Sequence, residues 1–176
     1  MLLKVATIVG ILIVAVVILW KRGASRKQGQ FSGPISSWRI TDSWSIGHGE
    51  RDGKPIITRC NMGLLPALGN AAFNKQVGIA VPFNHPTASG LPEPEEDAQL
   101  HQMEEEIGRR FTLNNESLLA CIITTGNMRE FVLYTSDEAA AVVEVEQLAK
   151  DTNHHEIQHV VNVDPEWNVF RQLTGR

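Results

Sequence analysis

Leu118-Leu-Ala-Cys-Ile-Ile-Thr-Thr125, Gly126-Asn127 and Met128-Arg-Glu-Phe-Val-Leu-Tyr-Thr135 form the stretch that decides the fold. Two runs rich in β-branched and aromatic residues flank a Gly-Asn pair, the residue types that accept the positive φ angles of a tight hairpin turn. The stretch predicts antiparallel strands over Leu118–Thr125 and Arg129–Thr135.

Further strands and helices follow on both sides. Toward the carboxyl end, Asp137 is placed to cap a helix that ends near Lys150, with Val142, Val145, Leu148 and Ala149 as its apolar side. A strand from about Glu156 to Val163 comes next. Asp164-Pro165 then reads as an N-cap with proline at the first helical position, and the closing helix carries Trp167, Phe170 and Leu173.

Toward the amino end, Pro94–Phe111 reads as a helix. Acids fill its first turn, where the dipole favours them, and Leu100, Met103, Ile107 and Phe111 recur at core-facing spacing. The prolines in Asn84–Pro92 force a loop, and Val77, Ile79 and Val81 alternate in a strand over Gln76–Phe83. Ser37–Ile46 and Ile56–Met62 are strand-like around the glycine-rich loop Gly47–Gly53. Strands grouped in hairpins with helices between the groups predict an α+β fold, an antiparallel sheet with helices packed on one face. Residues 36–176 make one such domain, long enough to bury a core.

Three stretches in this domain resemble a bacterial family of unknown function, numbered 695. They are Gly90-Leu-Pro-Glu-Pro-Glu-Glu96 leading into Leu100-His-Gln-Met-Glu-Glu105, then Thr125-Gly-Asn-Met-Arg-Glu-Phe-Val-Leu-Tyr134, then Asp164-Pro-Glu-Trp167. Asp52-Gly-Lys-Pro55 before a strand is similar too, and the likeness runs over most of Trp44–Leu173. The resemblance implies no activity. Such domains sometimes stand beside a module similar to a regulator of ribonuclease activity, which implies regulatory binding.

Outside the likeness lies an apolar run. From Leu2 to Trp20 every residue is apolar, Gly or Thr except Lys4. Nineteen residues at about 1.5 Å each cover about 28 Å, close to the hydrocarbon core of a bilayer. The run ends in Val-Ile-Leu-Trp-Lys-Arg rather than the small residues of a signal cleavage site. Residues 1–22 are therefore expected to be a single-pass anchor, in contact with lipid through residues 2–20. Ala6 and Gly10 are taken as small residues of a lipid-facing helix, not as a helix-pairing motif. Lys21, Arg22, Arg26 and Lys27 follow the run while Lys4 alone precedes it, so the carboxyl-terminal domain is expected in the cytoplasm, at the cell (inner) membrane. Residues 23–35 are a basic, flexible linker, and these four cations should meet anionic headgroups. The net charge of −4 gives no sign of a nucleic-acid partner. A reducing cytoplasm makes Cys60 and Cys121 buried free thiols, with a disulfide or redox pair as alternatives.

The chemistry-bearing motif is His155-Glu-Ile-Gln-His159, which fits H-E-x-x-H. On a helix, that spacing lets two histidines bind zinc while the glutamate activates water. Here it runs into Val160-Val-Asn-Val163, which prefers a strand, and a strand separates His155 from His159 by about 13 Å. The three are expected as polar side chains on a half-exposed strand, with no metal and no cofactor. The alternative is a membrane-anchored zinc hydrolase in which His155 and His159 are ligands and Glu156 is catalytic. Glu93, Glu95, Glu96, Asp97, Glu104, Glu105 and Glu106 read as a solvated helix face. Arg129 and Glu130 read as cross-strand partners of their neighbours, or Arg129 as an exposed anchor for a partner. Neither a nucleophile elbow nor a phosphate-cradling glycine loop is present. The expectation is a membrane-anchored binding or regulatory module that works through contacts with an unidentified protein.

Overall fold

A computed structural model describes residues 40–112 and 116–176. The predicted anchor, the linker and Lys21, Arg22, Arg26 and Lys27 lie outside these residues. Among the described residues no helix is long and apolar enough to cross a membrane.

Six strands form one sheet: β1 (Trp44–Arg51), β2 (Lys54–Asn61), β3 (Lys75–Pro82), β4 (Ser117–Thr125), β5 (Met128–Thr135) and β6 (Gln158–Val163). Their order is β1-β2-β4-β5-β3-β6, and every neighbouring pair is antiparallel. Helices α1 (Pro94–Thr112), α2 (Glu138–Asp151) and α3 (Asn168–Thr174) complete the α+β fold, with two short 3-10 segments at Met62–Ala67 and Ala71–Phe73.

The β4–β5 turn has φ angles of 56° at Gly126 and 69° at Asn127, as its sequence demands. The β1–β2 turn is tighter than the sequence reading placed it. Asp52 and Gly53 take φ of 53° and 74°, so the strands continue to Arg51 and Lys54, and Gly47 and Gly49 lie within β1 rather than in a loop.

The sheet buries both faces, a correction to the expectation of helices on one face only. On one side α1 and α2 lay Leu100, Met103, Ile107, Phe111, Ala141, Val145 and Leu148 against Val77, Ile79, Phe131 and Leu133. On the other, Leu64, Phe73, Trp167 and Phe170 from the 3-10 segments and α3 cover Ile56, Leu118, Val132 and Tyr134. The 3-10 segments are too short to show a helical periodicity, yet they supply Leu64 and Phe73 to the second core.

Cys60 and Cys121 are opposed on β2 and β4 and are joined as a disulfide, contrary to the free-thiol expectation. The physical reason is the strand order. The chain runs through β3 and α1 between them, a separation of 61 residues, before β4 returns beside β2.

Asp164 also acts differently from a simple N-cap. Helix α3 starts at Asn168, and Asp164–Trp167 close a turn through Trp167 N–H to Asp164 C=O at 3.1 Å. The Asp164 carboxylate then accepts hydrogen bonds from the Tyr134 hydroxyl and from the backbone and side-chain N–H groups of Asn168, each at 2.8 Å. Trp167 stacks flat on Tyr134 with ring centroids 4.0 Å apart and donates to the Phe73 carbonyl at 2.9 Å. Burial, with the Asp164 carboxylate next in importance, pushes the Tyr134 hydroxyl well above its ordinary range.

Candidate functional site

The densest cluster of buried polar groups lies where the first turn of α1 meets the ends of β3 and β5 and the chain leading into β6. Glu96 sits one helical turn before Leu100, so the core-facing stripe of α1 carries it inward, and it is 4% exposed. Its carboxylate accepts from the backbone N–H groups of Asn84 at 2.5 Å and His85 at 3.0 Å. It thereby fixes the start of the 84–92 loop, and His155 Nδ1 stands 3.7 Å from its Oε1. Asn84 donates through Nδ2 to the His154 carbonyl at 2.7 Å, which ties the same loop to the segment before β6.

The next residue of α1 holds the other side. Asp97 pairs with Arg129 at 2.7 Å, and Arg129 Nε donates to Thr124 Oγ1 at 3.1 Å. Arg129 alternates with Phe131 and Leu133 along β5, so the pleat aims it at the helix side of the sheet. Gly90 of the 84–92 loop and Asn127 of the β4–β5 turn complete the join. Gly90 has φ +81°, a Cβ there would stand 2.9 Å from Asn127 Oδ1, and its carbonyl accepts from Asn127 N–H at 3.3 Å. Thus the Gly90–Glu96 and Thr125–Tyr134 stretches, far apart in sequence, are in direct contact.

Two acid–base pairs on consecutive residues of α1 clamp three chain segments. A carboxylate beside an imidazole can orient that ring for proton transfer. Here His155 Nε2 and Arg129 Nη1 are buried with no hydrogen-bond partner among the described residues. The arrangement is a latch with Glu96 and His155 on the inside and Asp97, part-exposed, on its rim.

The H-E-x-x-H segment does not form a helix. His155 lies in irregular chain, buried to 7% exposure and turned to Glu96, not on a half-exposed strand as the sequence reading had it. Glu156 is exposed and accepts from Gln158 Nε2 at 2.8 Å, while His159 sits half-buried on β6 opposite Ile79. Among the described residues no group of three or more His, Cys, Asp or Glu side chains could hold a metal ion.

Two further expectations are corrected by burial. Arg129, 5% exposed, cannot serve as an exposed anchor. The acidic face of α1 is not uniformly solvated either: Glu96 is internal, and Glu104 pairs with Arg59 of β2. Glu106 is held down to about 2 by hydrogen bonds from Arg109 and Arg110. Arg110 bridges to Glu144 and Asp151 of α2, so the α1–α2 packing has an ionic seam. Burial alone pushes the Glu130 carboxyl up.

Fold and latch together define an α+β domain built on a six-stranded antiparallel sheet whose acidic first helix locks a loop to the sheet. The family of unknown function DUF695 matches residues 42–174, and the chain belongs to that family. A comparison with curated proteins finds no match.

Proposed function

We propose that the chain is a membrane-tethered binding module that takes an extended partner segment along the open edge of β1. The observation that carries this reading is the state of that edge. The two-residue turn makes Arg51 and Lys54 a hydrogen-bonded pair, and the alternation continues to Ser43, whose carbonyl accepts from Met62 N–H at 2.6 Å. The N–H and C=O groups of Trp44, Ile46, His48 and Glu50 therefore point away from β2. Six of the eight β1 residues are exposed. β2 pairs with β4 only through Ile57–Cys60, so the β1–β2 ribbon overhangs the sheet. Among the described residues no strand pairs with the outer side of β1, and an unpaired, protruding edge is a template for strand addition.

The tether is supported by the apolar run at 2–20 and the four cations after it, a pattern that favours a domain on the cytoplasmic face, close to anionic lipid. A second topology, with the domain outside the cytoplasm, is favoured by the Cys60–Cys121 disulfide, since such bonds persist in oxidising compartments. A reporter fused after Arg176 separates the two.

Binding is tested by co-purification from solubilised membranes of the full chain and of His48→Pro. The proline removes an outward N–H and no bond to β2. Partners held by wild type and lost by His48→Pro support edge binding. Equal retention by both refutes it.

A further inference from the structure

We infer that the partner on β1 is a second copy of this chain, paired antiparallel with its own β1 about a two-fold axis through Gly47. The inference rests on the edge-binding reading and names its occupant.

A two-fold contact must be self-complementary. Only Trp44, Ile46, His48 and Glu50 present outward backbone groups, so these four must face one another. One register uses all of them: Trp44 opposite Glu50 of the second copy, Ile46 opposite His48, and the two reciprocal pairs. Each pair exchanges two main-chain hydrogen bonds. On the same side of the sheet as α1, Ile46, a large apolar side chain 64% exposed, gains the second copy's imidazole as a cover. On the opposite side Ser45 faces Gly49 and Gly47 faces Gly47, so nothing bulky obstructs the approach.

Charge favours the same register. The Arg59 guanidinium, already paired with Glu104 of α1, lies 6.0 Å from the centre of the Trp44 ring, so Glu50 of the second copy arrives beside a cation that it shares with Glu104. A slip of two residues loses a rung. One slip sets His48 against His48 and Ile46 against Glu50; the other sets Ile46 against Ile46 but Glu50 against Asp42. An unrelated extended peptide has no such reciprocity. Nor does β1 carry the lysine, proline or bulge by which monomeric proteins blunt an edge. Two eight-residue edges bury less than the roughly 1,200 Å² of a stable interface, so the pairing depends on concentration. Tethers confined to one membrane supply it.

Full chains carrying Ile46→Cys or His48→Cys, each with a different tag, are reconstituted together in phosphatidylcholine vesicles and mildly oxidised. The expected product is a disulfide-linked dimer with both tags, several-fold more abundant than a dimer of either variant alone and lost when Glu50→Pro is added to both chains. Glu50→Lys, which sets like charge against Arg59, should also abolish the link and keeps the test open if the proline variant fails to fold. Absence of a link, or predominance of either single-tag dimer, overturns the inference. So does hydrogen-exchange protection of Trp44, Ile46, His48 and Glu50 in dilute monomer, which would mean that the chain's own residues 1–39 cover the edge. A different protein, displaced by His48→Pro from a monomeric chain, overturns the second copy and leaves edge binding standing. An edge unprotected in every preparation removes both.

Discussion

Asp164→Ala should be among the most damaging single changes in the domain, although Asp164 touches no candidate reacting group. The carboxylate is 6% exposed and serves the Tyr134 hydroxyl, both N–H groups of Asn168 and, at 3.3 Å, the backbone of Val169. A hydrogen bond to a charged group contributes about 1.5–3 kcal/mol, and a buried donor left alone costs about 1–3 kcal/mol. The donors at the start of α3 recover some water, whereas the Tyr134 hydroxyl, beneath Trp167, recovers none. The sum is a loss of about 3–5 kcal/mol. Tyr134→Phe keeps the stacked ring and removes one donor, for about 2 kcal/mol. Because the two changes break the same bond, the double variant should lose about 1–2 kcal/mol less than the sum of the singles. Urea unfolding followed by tryptophan fluorescence measures all three, with Trp167 inside the perturbed cluster. A loss under 1 kcal/mol for Asp164→Ala, or strict additivity in the double variant, would refute the network.

Four more outcomes follow from other parts of the molecule. Ile107→Ala, at a fully buried position of the α1 stripe, should cost about 2–5 kcal/mol in the same assay; no loss would show the stripe to be surface. His155→Ala should destabilise by about 2 kcal/mol through loss of a buried side chain, whereas Glu156→Gln, at an exposed site, should change stability by less than about 0.5 kcal/mol; a molar equivalent of zinc in the purified chain, lost together with turnover on Glu156→Gln, would revive the hydrolase reading. Glu106 is held below its ordinary 4.5, at about 2, so its stabilising effect is complete above pH 4.5 and lost as pH falls through about 2; Glu106→Gln should flatten that acid limb, and unchanged acid unfolding would contradict the pairing. Glu130 has the opposite sign: burial raises it, so its contribution is full below the ordinary 4.5 and is lost as pH rises from there through its raised value; Glu130→Gln should raise the melting temperature at pH 7, and a lower one would mean that the carboxylate has a favourable partner.

Local signals placed most of the frame. Gly126-Asn127 fixed its hairpin because two positive φ angles in succession suit few other residues. The α1 stripe and the alternation in β3 were legible for the same reason, since one side chain per turn or per pleat reports burial. The latch was half legible. Glu96 continues the Leu100–Met103–Ile107 stripe by one turn, and Arg129 continues the Phe131–Leu133 alternation, but composition favoured reading Glu96 as part of a solvated face and Arg129 as a cross-strand partner or an exposed anchor. Their burial depends on each other's neighbourhood, and no local window contains that information. The Cys60–Cys121 pairing and the second core were hidden for the same reason, because both depend on β2 lying beside β4.

The stretches that carry the family likeness meet on a single strand and leave by opposite faces. Along β5, Arg129 points toward α1, where Asp97 holds it and the adjacent Glu96 secures the loop. Five residues later, Tyr134 points the other way, to Asp164 and Trp167. An odd separation along a pleated strand places the two side chains on opposite faces, so β5 pins α1 to one side of the sheet and α3 to the other. These contacts clamp two helical layers to one sheet. What the domain leaves free for a partner lies where this clamp does not reach. In this chain that is the overhanging β1 edge, which neither clamp residue touches, and the apolar and basic segment before residue 40. Function in this reading is carried by the least constrained part of the sheet.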